Sequence, residues 1–178
     1  MTSSLPLAKR WYDWFFILAF SLFTITSIVT DTVNGWGGQL DPNSGYAVER
    51  YIYHSYAKFC DPLLIYNPPQ VKVSAWISAT IWLPMYVWFV IGFIRGNARI
   101  RVPGLVYGGA LAHGMITYMA EGMFGYYARE GWQTLPEVVA PDTAYYFWVN
   151  LPYLLVPALM IIRMWRPDPF GSQAAAHA

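Results

Sequence analysis

Charge is what this chain has least of: 12% of its 178 residues are Asp, Glu, Lys or Arg, about half the share of a soluble domain. That shortage excludes an ordinary soluble globule. The net charge of +1 gives no reason to expect nucleic acid or a strongly acidic partner. There is one cysteine, Cys60, so no intrachain disulfide can form and the redox compartment stays open. No Asn-x-Ser/Thr acceptor occurs, which removes a common luminal marker. Neither Cys60 nor His54 has metal-ligand spacing around it, so no metal is expected, nor any other cofactor. Linker runs and internal repeats are also missing, and one compact domain is the expectation.

What the chain has in quantity is apolar and aromatic: 56% hydrophobic residues, 19% of all residues being Phe, Trp or Tyr. Long apolar runs cover about 11–33, 74–94, 102–127 and 144–164, each near the ~20 residues that a helix needs to cross a bilayer. The first run has the position of a signal peptide, but it is long and no small-x-small cleavage site follows it, so a retained helix is expected. The fold class read from this pattern is all-α: a polytopic membrane protein, a four-helix bundle over 11–165. A short arm, 1–10, precedes the bundle and a flexible tail, 166–178, follows it.

Between the first two runs the chain changes character. NGWGGQLDPNSG and IYNPPQ mark turns, 46–59 reads as one short helix, and Asp61-Pro62 reads as a helix start with aspartate as cap. Pro84 is expected to kink the second span, and 129–142 reads as a polar connection. With four spans, both termini and the 95–101 loop share a side that holds Lys9, Arg10, Arg95, Arg99, Arg101, Arg163 and Arg166. The other side holds Arg50, Lys58, Lys72 and Arg129 among six acids. The positive-inside rule therefore puts both termini in the cytoplasm.

The third run, RVPGLVYGGALAHGMITYMAEGMFGYY, carries His113, Thr117 and Glu121 at i, i+4 and i+8, roughly one side of a helix. Ionisable groups inside a span are costly in lipid and mark a site unless a bland role explains them. The bland role of Glu121 is to snorkel or to pair with Arg129; that of His113 is to bond a neighbouring backbone carbonyl. Asp31 ends the first span, Asn150 lies about two turns into the fourth, and Asp61 lies in the covering loop. Glu121, about 30 Å along its helix at 1.5 Å per residue, falls at that same end, so these elements outline a pocket. Gly104-x-x-x-Gly108, with Gly109 and Gly114 beyond, lets a helix approach closely, either inside the bundle or at a homodimer seam.

Several of these segments are similar to the EXPERA group of four-helix membrane proteins, which includes a sterol double-bond isomerase, the emopamil-binding protein, and the amine-binding sigma-2 receptor. Residues 56–64, YAKFCDPLL, with Pro68-Pro69 after them, resemble the receptor's first loop. Residues 152–157, PYLLVP, resemble its last helix, and the run from Trp82-Leu83-Pro84 through Val87 to Arg95 resembles the isomerase. The resemblance spans most of 11–165. It implies that Asp31 and Asp61 match the receptor's amine-pairing and site-organising aspartates. Asp31 stands where the isomerase has its first-helix glutamate, and Asn150 matches its asparagine. Ser27, Ala75 and Tyr153 depart from its histidine, second glutamate and tryptophan. The resemblance also implies a homodimer and, in a eukaryote, the endoplasmic reticulum membrane.

Two carboxyls beside one apolar cavity favour keeping at least one proton at neutral pH. A neutral acid there can protonate an alkene or epoxide, a second carboxylate can remove a proton elsewhere, and ring faces can stabilise the cation between. The expected catalytic residues are thus Asp31 and Glu121, oriented by His113 and Asn150. Asp61, Thr117, Trp82, Tyr86, Tyr118, Trp148 and Tyr153 are the expected substrate-binding residues. The expected activity is cofactor-independent isomerisation or cyclisation of a sterol, terpenoid or related apolar lipid. The alternative is a non-catalytic sterol or cationic-amine binder. A third option is a scaffold whose pocket has no present use.

Overall fold

The structure, a computed structural model, describes residues 4–38, 40–125, 129–130, 133–134 and 138–171, with the backbone alone at 129, 130, 133 and 134. Four long helices carry it: α1 (Asp13–Gly35), α4 (Pro69–Arg95), α5 (Arg101–Phe124) and α6 (Thr143–Trp165). Two short helices, α2 (residues 47–60) and α3 (Pro62–Tyr66), fill the loop between α1 and α4. The connection before α6 contains a two-residue antiparallel ladder, β1 (Arg129–Glu130) with β2 (Gln133–Thr134). Residues 126 and 127, the end expected of the third span, and Glu137 lie outside the described residues.

Among the described residues, α1, α4 and α6 are long and apolar enough to cross a membrane. At 24 residues α5 is as long, but five glycines, His113 and Glu121 dilute its apolar character. Large apolar side chains face outward all around the bundle, among them Leu18, Ile25, Val106 and Ile162. Water does not suit such a surface and lipid does. At one end Trp11, Tyr12, Trp14 and Trp165 are exposed; at the other, Trp36, Tyr46, Tyr66 and Tyr145. These are the interfacial belts of a membrane protein.

The helices pair as two hairpins, α1 on α4 and α5 on α6. Small residues seat both pairs. A Cβ added at Gly35 would stand 2.7 Å from the Trp76 backbone nitrogen, and one at Gly108 would stand 2.9 Å from the Pro157 carbonyl oxygen. Gly104 and Gly108 are therefore spent inside the bundle, against α6, while Gly109 and Gly114 face open space. Rings lock the hairpins together: Phe20 of α1 meets Phe89 of α4 at 5.1 Å and Tyr107 of α5 at 5.7 Å, and Phe23 stacks on Tyr153 of α6 at 4.4 Å.

Two spans contain π-helical turns, Ser27–Asp31 in α1 and Ser78–Trp82 in α4, and the two touch. The second runs directly into Pro84. Proline removes one N–H from the ladder, and a widened turn beside it is how the helix absorbs that loss.

The end of the bundle where the chain begins is closed by buried charge. Asp13, fully buried in the first turn of α1, pairs with Arg10 and accepts from Arg163 Nε at 3.0 Å and Nη2 at 2.9 Å. Arg10, also buried, donates to the carbonyls of Leu5 at 2.8 Å and Phe93 at 3.0 Å. Arg163 donates to the Pro169 carbonyl, and both guanidiniums lie 5.2 Å from the Phe170 ring. Of the residues assigned above to a tail, 166–171 thus turn back onto this cluster, and 172–178 lie outside the described residues.

Candidate functional site

A second set of polar side chains lies toward the opposite end, in clusters along and beside α4. Asp31 sits at the close of the α1 π-turn, where Ser78, on the facing π-turn, donates to its Oδ2 at 2.5 Å. The Ser78 and Ser27 hydroxyls lie 3.3 Å apart. Thr32 Oγ1 donates to the Ser27 carbonyl at 3.1 Å, five residues back. π-Turns are rare and collect at functional sites. Here two of them meet at one carboxylate.

One turn further along α4, about 6 Å away, Ser74 lines a cavity of about 170 Å³ between α4 and α5. Gln70, Ser74, Thr117, Tyr118 and Glu121 line it with Val71 and Gly114, so a few polar groups punctuate a largely apolar wall. Glu121 is 1% exposed. Thr117 donates its hydroxyl proton to the Gly114 carbonyl at 2.8 Å, leaving its oxygen free to accept. Drug-sized ligand sites run from about 300 Å³, so this cavity is smaller than a site that encloses a whole drug-sized molecule.

Behind Tyr118 lies the loop aspartate. Asp61 Oδ2 accepts from Tyr118 at 2.8 Å and from Tyr56 at 3.0 Å, and Oδ1 is buried with no partner among the described residues. Asp61 does precede a helix with proline at its start, but its side chain makes no capping bond. The two tyrosine hydroxyls take it inward instead. Burial pushes the Asp61 carboxyl up from 3.8 to about 7, against the lowering effect of the Tyr118 and Tyr56 hydrogen bonds. Burial, then the neighbouring Asp61, pushes the Cys60 thiol up to about 11. A thiol so raised is a packing group at neutral pH, not a nucleophile.

This shift has a sign that can be measured. The folded carboxyl keeps its proton up to about pH 7, whereas the unfolded one loses it near 3.8. The folded state therefore binds the extra proton between those values, and stability falls as pH rises through that window. Asp61→Asn is expected to flatten the dependence, read as unfolding midpoints in micelles from about pH 4 to about pH 8. A slope unchanged in the variant would assign the titration elsewhere.

The remaining expected site residues are placed unevenly. Tyr146 donates to the Tyr118 carbonyl at 3.0 Å, and Asn150 Nδ2 donates to the Tyr146 carbonyl at 3.0 Å, one turn back on its own helix. This ties Asn150 to the wall of the cavity through α6. Tyr153 donates to Thr26 at 2.9 Å. Trp82 and Tyr86 pack on Tyr107 within the aromatic core. Among the rings named from sequence, Tyr118 lines the cavity, whereas Trp148 is 66% exposed on the outside. His113 is exposed too, away from Glu121. Gln70, Ser74, Ser78, Tyr56 and Tyr146 were not singled out from sequence. The Ser74–Ser78 pair, four apart inside an apolar run, was the signal available for two of them.

A helical bundle with lipid-facing sides, interfacial aromatic belts and a buried glutamate in a cavity between its helices is an integral membrane protein. The family model described as EXPERA, the expanded EBP superfamily, matches residues 46–164, and the chain belongs to that family. The matched residues take in α4, α5 and most of α6 but not α1. A comparison with curated proteins found no match.

Proposed function

We propose that this protein is a membrane-embedded acid–base isomerase or cyclase acting on an unsaturated or epoxide-bearing lipid of the sterol or terpenoid class. One observation carries the reading: Asp31 and the Glu121 cavity adjoin successive turns of one α4 face, at Ser78 and Ser74. One carboxylic acid adds its proton to the alkene carbon or epoxide oxygen, leaving a carbocation. The other carboxylate removes a proton from a neighbouring carbon, and that C–H pair becomes the new double bond. For cyclisation, an internal alkene or hydroxyl attacks the cation before the proton leaves. Proton exchange with water through the loop end then resets the pair. Asn150 orients the site through Tyr146 and Tyr118, and Thr117 and Tyr118 touch substrate. His113, exposed on the outer side of α5, stands apart from this pair.

In this reading α5 is a fourth span, and both termini are cytoplasmic, with Lys9, Arg95, Arg99, Arg101 and Arg166 on that side. The alternative is a receptor-like binder in which ionised Asp31 holds a cationic amine, a mimic of the carbocation; Asp31 at the meeting of two π-turns favours it equally. Product analysis decides between them. Purified protein in a bilayer is offered sterol, terpenoid and epoxide lipids. A new isomer or ring supports the enzyme, and saturable amine binding without any product supports the binder.

A further inference from the structure

A second concavity lies at the same end of the bundle, on the outer side of α1 and apart from the Glu121 cavity. It is an open groove of about 660 Å³, inside the range of about 300–1,000 Å³ typical of small-molecule sites. Ile28, Val29 and Val33 make an apolar floor. Trp36 and Tyr46 stand at the rim, 68% and 74% exposed. Aromatic side chains so exposed at the end of a membrane helix belong at headgroup depth.

The polar end of the groove is made by Gly37 and Gly38. A Cβ added at Gly38 would meet Glu49 Oε1 at 2.8 Å, and one added at Gly37 would approach Lys72 Nζ to 4.0 Å. A carboxylate and an ammonium thus stand over adjacent residues of one backbone bend. Gly37 has φ of 93°, a conformation that other residues rarely adopt. Among the described residues both ion pairs lie at the far end of the bundle, around Asp13. The charges of Glu49 and Lys72 are therefore not cancelled by an ion pair there.

We propose that this groove holds one zwitterionic phospholipid. Its phosphate meets Lys72, its headgroup amine meets Glu49 beside the ring faces of Trp36 and Tyr46, and an acyl chain lies along Ile28, Val29 and Val33. Charge complementarity selects this occupant. An anionic lipid without an amine leaves Glu49 opposed to a neutral or negative group, and a simple cationic amphiphile leaves Lys72 opposed to its own sign. The site is independent of the chemistry proposed for Asp31 and Glu121.

The test is native mass spectrometry of the full-length protein released from nanodiscs of equimolar phosphatidylethanolamine and phosphatidylglycerol with identical chains. One phosphatidylethanolamine per chain is expected to be retained over phosphatidylglycerol by about fivefold, the weight of a single interfacial charge. Lys72 is exposed, so Lys72→Gln tests the site without disturbing the fold, and because both lipids carry the phosphate it is expected to lower the amount of bound lipid about fivefold. Glu49→Gln is expected to erase the headgroup preference, while Lys58→Gln, an exposed lysine elsewhere on the loop, leaves it intact. Equal retention of the two lipids by the wild type, or bound lipid and preference both unchanged in the site variants, would mean annular lipid only and overturn the proposal.

Discussion

Asp13→Ala is expected to cost about 3–5 kcal/mol of stability, the loss that follows when one partner of a buried ion pair is removed. Asp13 is the anion between two guanidiniums, Arg10 at 1% and Arg163 at 9% side-chain exposure. Removing it leaves two positive charges facing each other where water does not reach, with only carbonyls and ring faces to hold them. Those contacts join the arm before α1, the end of α4 and the turn after α6, so the damage spreads beyond one helix. The measurement is the unfolding midpoint in micelles. Replacing the three charged residues together, Arg10→Met, Asp13→Leu and Arg163→Met, is expected to recover much of the loss, because a packed apolar triad needs no desolvated charge. An Asp13→Ala protein as stable as the wild type would show that the cluster is solvated and contributes little.

Glu121→Gln is expected to lower turnover by about 10²–10⁴-fold, the usual contribution of one positioned acid or base, while leaving the fold intact. Glutamine keeps the size and hydrogen-bonding reach of the side chain inside the cavity with Ser74 and Thr117, but it cannot take or give a proton. Asp31→Asn should behave alike, since Ser78 can donate to an amide oxygen as it does to the carboxylate. Full activity in both variants would remove the acid–base assignment. A collapse of activity together with the unfolding midpoint would reduce the carboxylates to structural groups.

Much of the scaffold was legible because apolar length is a strong signal. The first and last spans were expected at 11–33 and 144–164 and stand at Asp13–Gly35 and Thr143–Trp165. The second was expected from residue 74 but begins at Pro69, because the Pro-Pro pair read as a turn also supplies a proline in the first helical turn. The 129–134 ladder carried no strand pattern at two residues a side. At the site, Asp31 and Glu121 stood out because ionisable groups are rare in apolar runs. His113 shows the limit of that reasoning. Steps of four advance about 40° around a helix of 3.6 residues per turn. His113 and Glu121 are thus about 80° apart, enough to leave one exposed and the other buried. The position of Asp61 was legible but its bond was not, since its hydrogen-bond donors sit five and 57 residues away. A serine in a span is common, so Ser78 gained meaning only when the two π-turns placed Asp31 against it, and Ser74 only as part of the cavity with Glu121.

The central claim, that this cavity moves protons on carbon, is tested by incubating membranes that contain the wild-type protein or Glu121→Gln in heavy water with mixed sterol and terpenoid lipids. Mass spectrometry then reads deuterium fixed at carbon, with epoxide lipids followed for opening or ring closure in the same samples. The account predicts label or ring-closed product in the wild type and its loss in Glu121→Gln, with the product's mass identifying the substrate. Neither label nor epoxide product in the wild type, or the same yield in the variant, would contradict it.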